Sequence, residues 1–176
     1  MKKNSLGIAF VLSASVLFMP GCSSHSETLI SSVENPVLWA DVPDPDVIRV
    51  GDDFYMVSTT MHLMPGCPVM HSKDLVNWRT IGYVFDRLED TPRYDLEGGT
   101  VYGKGQWATS IRYRDGRFYV LFSPNDQPYK SYIYTTTDPA GKWELLARTD
   151  HFHDASLLLD DDGRNYVFYA TYACAN

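Results

Sequence analysis

Asp44 stands between two prolines in Val42-Pro43-Asp44-Pro45-Asp46. Each proline fixes its own φ at about −65° and pushes the residue before it toward extended geometry, so this carboxylate is held rigidly ahead of the apolar run 47–50. A carboxylate held in this way is either a turn residue, the commoner duty of an Asp-Pro step, or an acid/base group. A second aspartate, Asp154, occupies the matching place in a later copy of the same pattern, and Ala108 the matching place between them. Carboxylates that converge on one place push each other's pKa values apart, which is what acid/base work requires. Metal chemistry fits the spacing less well. His151 and His153 share one strand face beside Asp154, but no third ligand is placed for them. Asp160-Asp161-Asp162-Gly163 lacks the alternating spacing of a calcium loop and reads as a hairpin turn.

The elements that must position these residues are β-hairpins. Residues 47–50 and 54–57 are β-prone runs around the turn cluster Gly51-Asp52-Asp53. The unit of small-residue entry, apolar strand, Asp/Gly turn and aromatic strand spans 44–57 and returns over 108–121 and 154–167. Two further strand-like runs follow each of the first two units, with Asp74 or Asp138 in the third turn and Trp78 or Trp143 opening the fourth strand. No segment holds a helical period for three turns. Four-strand units recurring every roughly 45 to 65 residues predict an all-β propeller; a sandwich of evenly spaced strands would not repeat chemistry at matching places. Two blades are complete and a third stops after its second strand, so about two and a half blades are expected, the front part of a longer chain. The first strand of each blade would line the channel, with Asp44, Ala108 and Asp154 at one mouth.

The chain has 176 residues and a formal net charge of −7 with no Lys/Arg run, which excludes nucleic acid as a partner. Aromatic residues make up 14%, with 12 Tyr and 4 Trp, a supply of rings that suits strand packing and the C–H faces of sugars alike. Lys2-Lys3 and the apolar run 6–19 read as a secretory signal too short to span a membrane comfortably. Gly21-Cys22 resembles the lipobox of bacterial lipoproteins, although Met19-Pro20 departs from its usual pattern. The expected organisation is a signal over 1–22 with lipidation at Cys22, a polar tether over 23–34, and a propeller segment over 35–176. The expected location is therefore the periplasm or outer membrane of a bacterium, with membrane contact only through the lipid. Cys67 and Cys174, far apart in sequence, are read as free.

Asn35-Pro36-Val37-Leu38, Pro43-Asp44-Pro45, His71-Ser72-Lys73-Asp74-Leu75-Val76-Asn77-Trp78, Gly105-Gln106-Trp107-Ala108 and His153-Asp154-Ala155-Ser156-Leu157 together resemble glycoside hydrolase family 43. The resemblance runs from about Asn35 to about Tyr169. It implies a five-bladed propeller acting on plant pentose glycans as a β-xylosidase, α-L-arabinofuranosidase or arabinanase. It also implies inversion of the anomeric centre, with Asp44 as the general base and Asp154 tuning and orienting the general acid. That acid, a Glu usually followed by Gly on the next blade, has no counterpart here. Glutamates stand at 27, 34, 89, 97 and 144, none of them opening a later inner strand, so this chain is expected to lack its proton donor.

The resemblance also places Met61, a core methionine on the simpler reading, against the sugar nearest the cleavage point. Trp107-Ala108 would wall the same pocket, with Thr109 where the family has Pro, and His62 would lie within reach of a sugar hydroxyl. No cofactor is implied as required; some members hold a channel ion such as calcium, whose ligands this chain does not show. The rivals are a non-catalytic carbohydrate-binding propeller fragment and a related five-bladed glycosidase acting on fructosides, whose Asn-Asp-Pro motif is missing.

Overall fold

A computed structural model of the chain describes residues 33–170, so Cys22, Cys174 and the expected signal lie outside the described residues. The described residues form ten strands and one short 3-10 turn. The first sheet is β1 (Asp46–Val50), β2 (Asp53–Val57), β3 (Gly66–Ser72) and β4 (Arg79–Phe85), in that spatial order. The second is β5 (Gln106–Arg114), β6 (Arg117–Pro124), β7 (Lys130–Thr136) and β8 (Glu144–Asp150), again in chain order. A hairpin of β9 (His153–Leu159) and β10 (Asn165–Ala170) begins a third blade. All neighbours are antiparallel, as the short turns between them require.

Turn chemistry repeats with the blades. Asp115 and Gly116 both take positive φ, the backbone that lets a two-residue turn match the twist of β5 and β6. In the first blade Asp74 accepts from the N–H groups of Val76 and Asn77 at 2.9 and 2.7 Å and from the Asn77 amide at 2.7 Å, closing the turn before β4. Trp78 and Trp143 sit just before β4 and β8, and their indole N–H groups donate to Leu75 O and Pro139 O.

Blades pack face to face. Val57, Cys67, Val69 and Phe85 of the first blade share one buried cluster with Ile111, Val120 and Phe122 of the second. A smaller cluster joins Leu121 of the second blade to Ala155 and Leu157 of the third. Burying such side chains contributes about 1.5–3 kcal/mol each. The inner strands are also clipped together by hydrogen bonds. The Asp46 carboxylate accepts from Ile111 N at 2.9 Å, and Ser110 Oγ accepts from Leu157 N at 3.1 Å. At the other end of β5, Arg114 donates to Asp160 O at 3.1 Å, so β5 and β9 run in the same direction side by side.

Candidate active site

Asp44 is exposed immediately ahead of β1 and has φ +49°, not the extended backbone expected of a residue before proline. Aspartate tolerates the left-handed region better than most residues, and neighbours hold it there. Ser58 Oγ and Thr59 N both donate to Pro43 O, at 2.7 and 3.1 Å, and Thr59 Oγ1 donates to the Asp44 carboxylate at 2.8 Å. The base of the carboxylate is thus clamped by the strand end that follows β2, leaving its outer side to solvent.

Asp154 repeats the arrangement: it is exposed, near the start of β9, with φ +45°. The segment before it is fixed to the second blade, where Phe152 N donates to Ser131 Oγ at 2.7 Å and Phe152 O accepts from Ser123 Oγ at 2.7 Å. His153 Nε2 lies 3.4 Å from the Asp154 carboxylate. The His153 ring sits between Trp107 and His151, with centroids 6.4 and 6.2 Å away. Burial and the neighbouring His153 push His151 below its ordinary value, against the pull of Asp154. Left-handed non-glycine backbone cluster at functional sites because the surrounding structure must hold them, and both acidic residues show it at the same register.

Between them stands the wall formed by the start of β5. Met61 and Gln106 exchange backbone hydrogen bonds at 2.8 and 2.9 Å, which pins the loop after β2 against β5. Gln106 is fully buried and its carbonyl accepts from Thr60 N and Thr60 Oγ1 at 2.8 and 2.9 Å, while its amide donates to Trp107 O at 2.6 Å and to Thr109 Oγ1. This network holds Trp107, which donates its indole N–H to Gly103 O at 3.2 Å, and Ala108, which is half-buried. Met61 is partly exposed with φ +53°, so it is not a core residue. His62 Nδ1 accepts from Gly103 N at 3.3 Å and its ring lies 4.6 Å from Tyr102. With Nδ1 accepting, Nε2 is the ring nitrogen left to donate.

The 20 residues between β4 and β5 reach over this end of the blades. Buried Asp126 ion-pairs with Arg93 at 2.8 Å and Lys104 at 3.4 Å, and Asp90 binds Tyr132 and Arg148. Glu97 lies exposed on this connector, just after the turn Pro92–Asp95. Below the acidic residues, Arg112 ties three blades: it donates to the Asp46 carboxylate at 2.7 Å and to Ser156 Oγ at 3.0 Å from the middle of β5. Among the described residues no three His, Cys, Asp or Glu side chains group as a metal site, and Asp160 to Gly163 close the β9–β10 turn.

Asp44, Trp107, Ala108 and Asp154 therefore fall at the same end of adjacent inner strands, and Met61 and His62 on the loop beside them. Thr59, Gln106 and Arg112 were not singled out, and His153 was weighed only as a metal ligand. Gln106 lies inside a motif the sequence shows, but its duty depends on the Met61 loop 45 positions away in sequence.

Antiparallel four-stranded blades, with an acidic residue heading the first and third inner strands, are those of a β-propeller. The chain belongs to the glycosyl hydrolases family 43, whose sequence pattern matches residues 33–175. It is 39% identical over 145 residues to a non-reducing end α-L-arabinofuranosidase from Bacteroides ovatus, covering 81% of this chain and 26% of that protein. It is 34% identical over 132 residues to a β-xylosidase from Formosa agariphila, covering 73% and 22%. Among solved structures, a bifunctional GH43-CE protein from Bacteroides eggerthii superposes with a TM-score of 0.74 at 40% identity, over 80% of this chain and 20% of that one. A xylan β-1,4-xylosidase from Bacillus halodurans gives 0.70 at 29% identity, over 82% and 29%. The chain spans about a quarter of the length of these relatives.

Proposed function

We propose that this chain supplies two of the three acidic groups of an inverting glycosidase that removes terminal xylosyl or arabinofuranosyl residues from plant glycans. The observation that carries the reading is the matched pair Asp44 and Asp154, each exposed, each left-handed, each heading an inner strand on either side of the Trp107-Ala108 wall. Asp44 is the general base: its free side takes a proton from water while Thr59 holds the other oxygen. Asp154, beside His153, orients and tunes the general acid. An inverting pair of base and acid needs a gap of about 6.5–9.5 Å to admit that water, which a channel end supplies. Met61, Trp107 and Ala108 form the apolar wall for the sugar, and His62 Nε2 donates to a hydroxyl.

A second reading, carbohydrate binding without turnover by the chain alone, is favoured by one observation. Among the described residues Glu34, Glu89, Glu97 and Glu144 lie on the entry segment, the connector and β8, and none heads an inner strand. Export, with lipid on Cys22 as the sole membrane contact, is proposed on the Lys2-Lys3 start, the apolar run 6–19 and Gly21-Cys22.

The test is turnover of aryl β-xyloside and aryl α-L-arabinofuranoside by the chain, and by a chimera in which residues 33–170 replace the matching segment of the Bacteroides ovatus relative. An active chimera silenced by Asp44→Asn, beside an inactive chain, supports the reading. A chimera that keeps full activity with Asp44→Asn refutes it.

A further inference from the structure

A row of rings leads outward from the end of the inner strands where Asp154 stands. Trp107 lies 6.4 Å from His153, His153 6.2 Å from His151 and His151 5.7 Å from Tyr129, measured between ring centroids. Neither core cluster of the described residues includes any of them, although Phe122 and Tyr132 of the same blade are packed into one. Trp107, His151 and His153 are half-buried, and Tyr129 at the far end is 45% exposed. Rings with one side packed and the other wet are suited to holding a ligand, not to filling a core.

The far end of the row is held in place. Tyr129 stands just before β7 and His151 just after β8, one step beyond the cross-strand pair Lys130 and Asp150. The loop that carries Tyr129 is anchored by Asp126. Its buried carboxylate pairs with Arg93 at 2.8 Å and Lys104 at 3.4 Å, and its carbonyl accepts from Tyr129 N at 2.9 Å. A buried carboxylate left without such partners would cost several kcal/mol, so the pairing fixes the loop. The row is also neutral. Lys130 and Asp150 cancel each other at 3.0 Å, and burial with His153 alongside keeps His151 below its ordinary value, uncharged at neutral pH. An uncharged ligand with apolar faces matches these surroundings.

Its direction follows from the chemistry. The row starts at the Trp107 wall and passes Asp154, whose carboxylate lies 3.4 Å from His153. In an inverting displacement water attacks one face of the sugar and the leaving group departs from the other. With the water held at Asp44, the leaving group lies on the Asp154 side, where the row runs outward. We propose that His151 and Tyr129 form a binding site for the leaving portion of the substrate, an uncharged oligosaccharide extending beyond the bond that is cleaved. The inference rests on the roles proposed above for Asp44 and Asp154. His151 lies along the nearer sugar and Tyr129 stacks on the next, so the site selects glycan chains over glycosides of a single sugar.

The test compares kcat/KM of the chimera on an aryl glycoside and on the linear tetrasaccharide of the sugar it releases. Tyr129→Ala should lower the value for the tetrasaccharide about 2- to 10-fold more than that for the aryl glycoside, the worth of one aromatic contact. Tyr129→Trp, which keeps a ring, should restore it, and His151→Ala should shift the ratio in the same direction as Tyr129→Ala. Equal losses on both substrates, as a structural role would give, or no loss on either, overturn the proposal. Where the chimera does not turn over, isothermal titration of the whole chain with the tetrasaccharide decides. Binding weakened by the same factor in Tyr129→Ala upholds the site; no saturable binding, or binding indifferent to Tyr129, overturns it. Turnover that survives Asp44→Asn refutes the proposed function, whereas selectivity for chain length that ignores Tyr129 refutes this inference alone.

Discussion

Gly105→Ala puts the support of the candidate site to a quantitative test. Gly105 has φ +83°, and a methyl group built on it would lie 2.2 Å from Met61 O and 2.8 Å from Met61 C. The left-handed backbone alone costs an L-residue about 1–2 kcal/mol. The collision is with main chain, so relief requires separating the Met61 loop from β5, which breaks the two bonds between Met61 and Gln106. Each such bond contributes about 0.5–1.5 kcal/mol, bringing the total to about 3 kcal/mol. Gly116→Ala is the control: φ is +79° with nothing within 4 Å of the added methyl, so only the strain of about 1–2 kcal/mol applies. Thermal unfolding followed by circular dichroism should show Gly105→Ala melting about 10 °C below the parent and Gly116→Ala about 3–6 °C below. Equal shifts for the two variants would refute the claim that close approach of Met61 to β5, and not turn geometry alone, requires glycine at 105.

The remaining predictions concern the clip, a turn and a thiol. Asp46→Ala removes the acceptor for Ile111 N and Arg112 and should lower stability by about 2 kcal/mol in urea unfolding, with the m-value unchanged. Backbone and side-chain donation from Asn77, then Val76 and Ser72, holds Asp74 well below its ordinary 3.8. The unfolded chain therefore takes up this proton first as pH falls, so the stabilisation is present above about pH 4 and lost below it. Asp74→Asn should flatten the stability profile in that acid window and leave the shape above it unchanged. Burial pushes the Cys67 thiol up to about 12, so in a chain carrying Cys22→Ser and Cys174→Ser Ellman's reagent at pH 8 should label it only as fast as the chain unfolds; fast labelling of that native variant would contradict the placement of Cys67 in the core.

The repeat was legible because each unit spells its own hairpin: an apolar run, an Asp/Gly turn and an aromatic run return in order, and local turn chemistry fixes register. That register alone brings Asp44, Ala108 and Asp154 to matching strand heads. It fails by one residue in the third hairpin, where the turn is longer and Phe168, not Val167, stands opposite Ser156. The left-handed backbone of Asp44 was hidden because the rule for a residue before proline points elsewhere, and Thr59 and Ser58, which hold it, are 15 and 14 positions on. Gln106 reads as an ordinary polar strand residue until the loop that pairs with Met61 is folded against it. His153 reads as a metal candidate lacking a third ligand until Trp107 and His151 flank its ring. Contacts of this kind link distant segments, and no local pattern encodes them.

The central claim is that Asp44 delivers water to the anomeric carbon in an inverting displacement. Proton NMR of the chimera acting on an aryl β-xyloside or α-L-arabinofuranoside, recorded before mutarotation equilibrates the product, reads the outcome directly. The account predicts that the first sugar released has the opposite anomeric configuration to the substrate, and that Asp44→Asn abolishes its formation. Release of sugar with retained configuration, or inverted product formed at full rate without the Asp44 carboxylate, would contradict it.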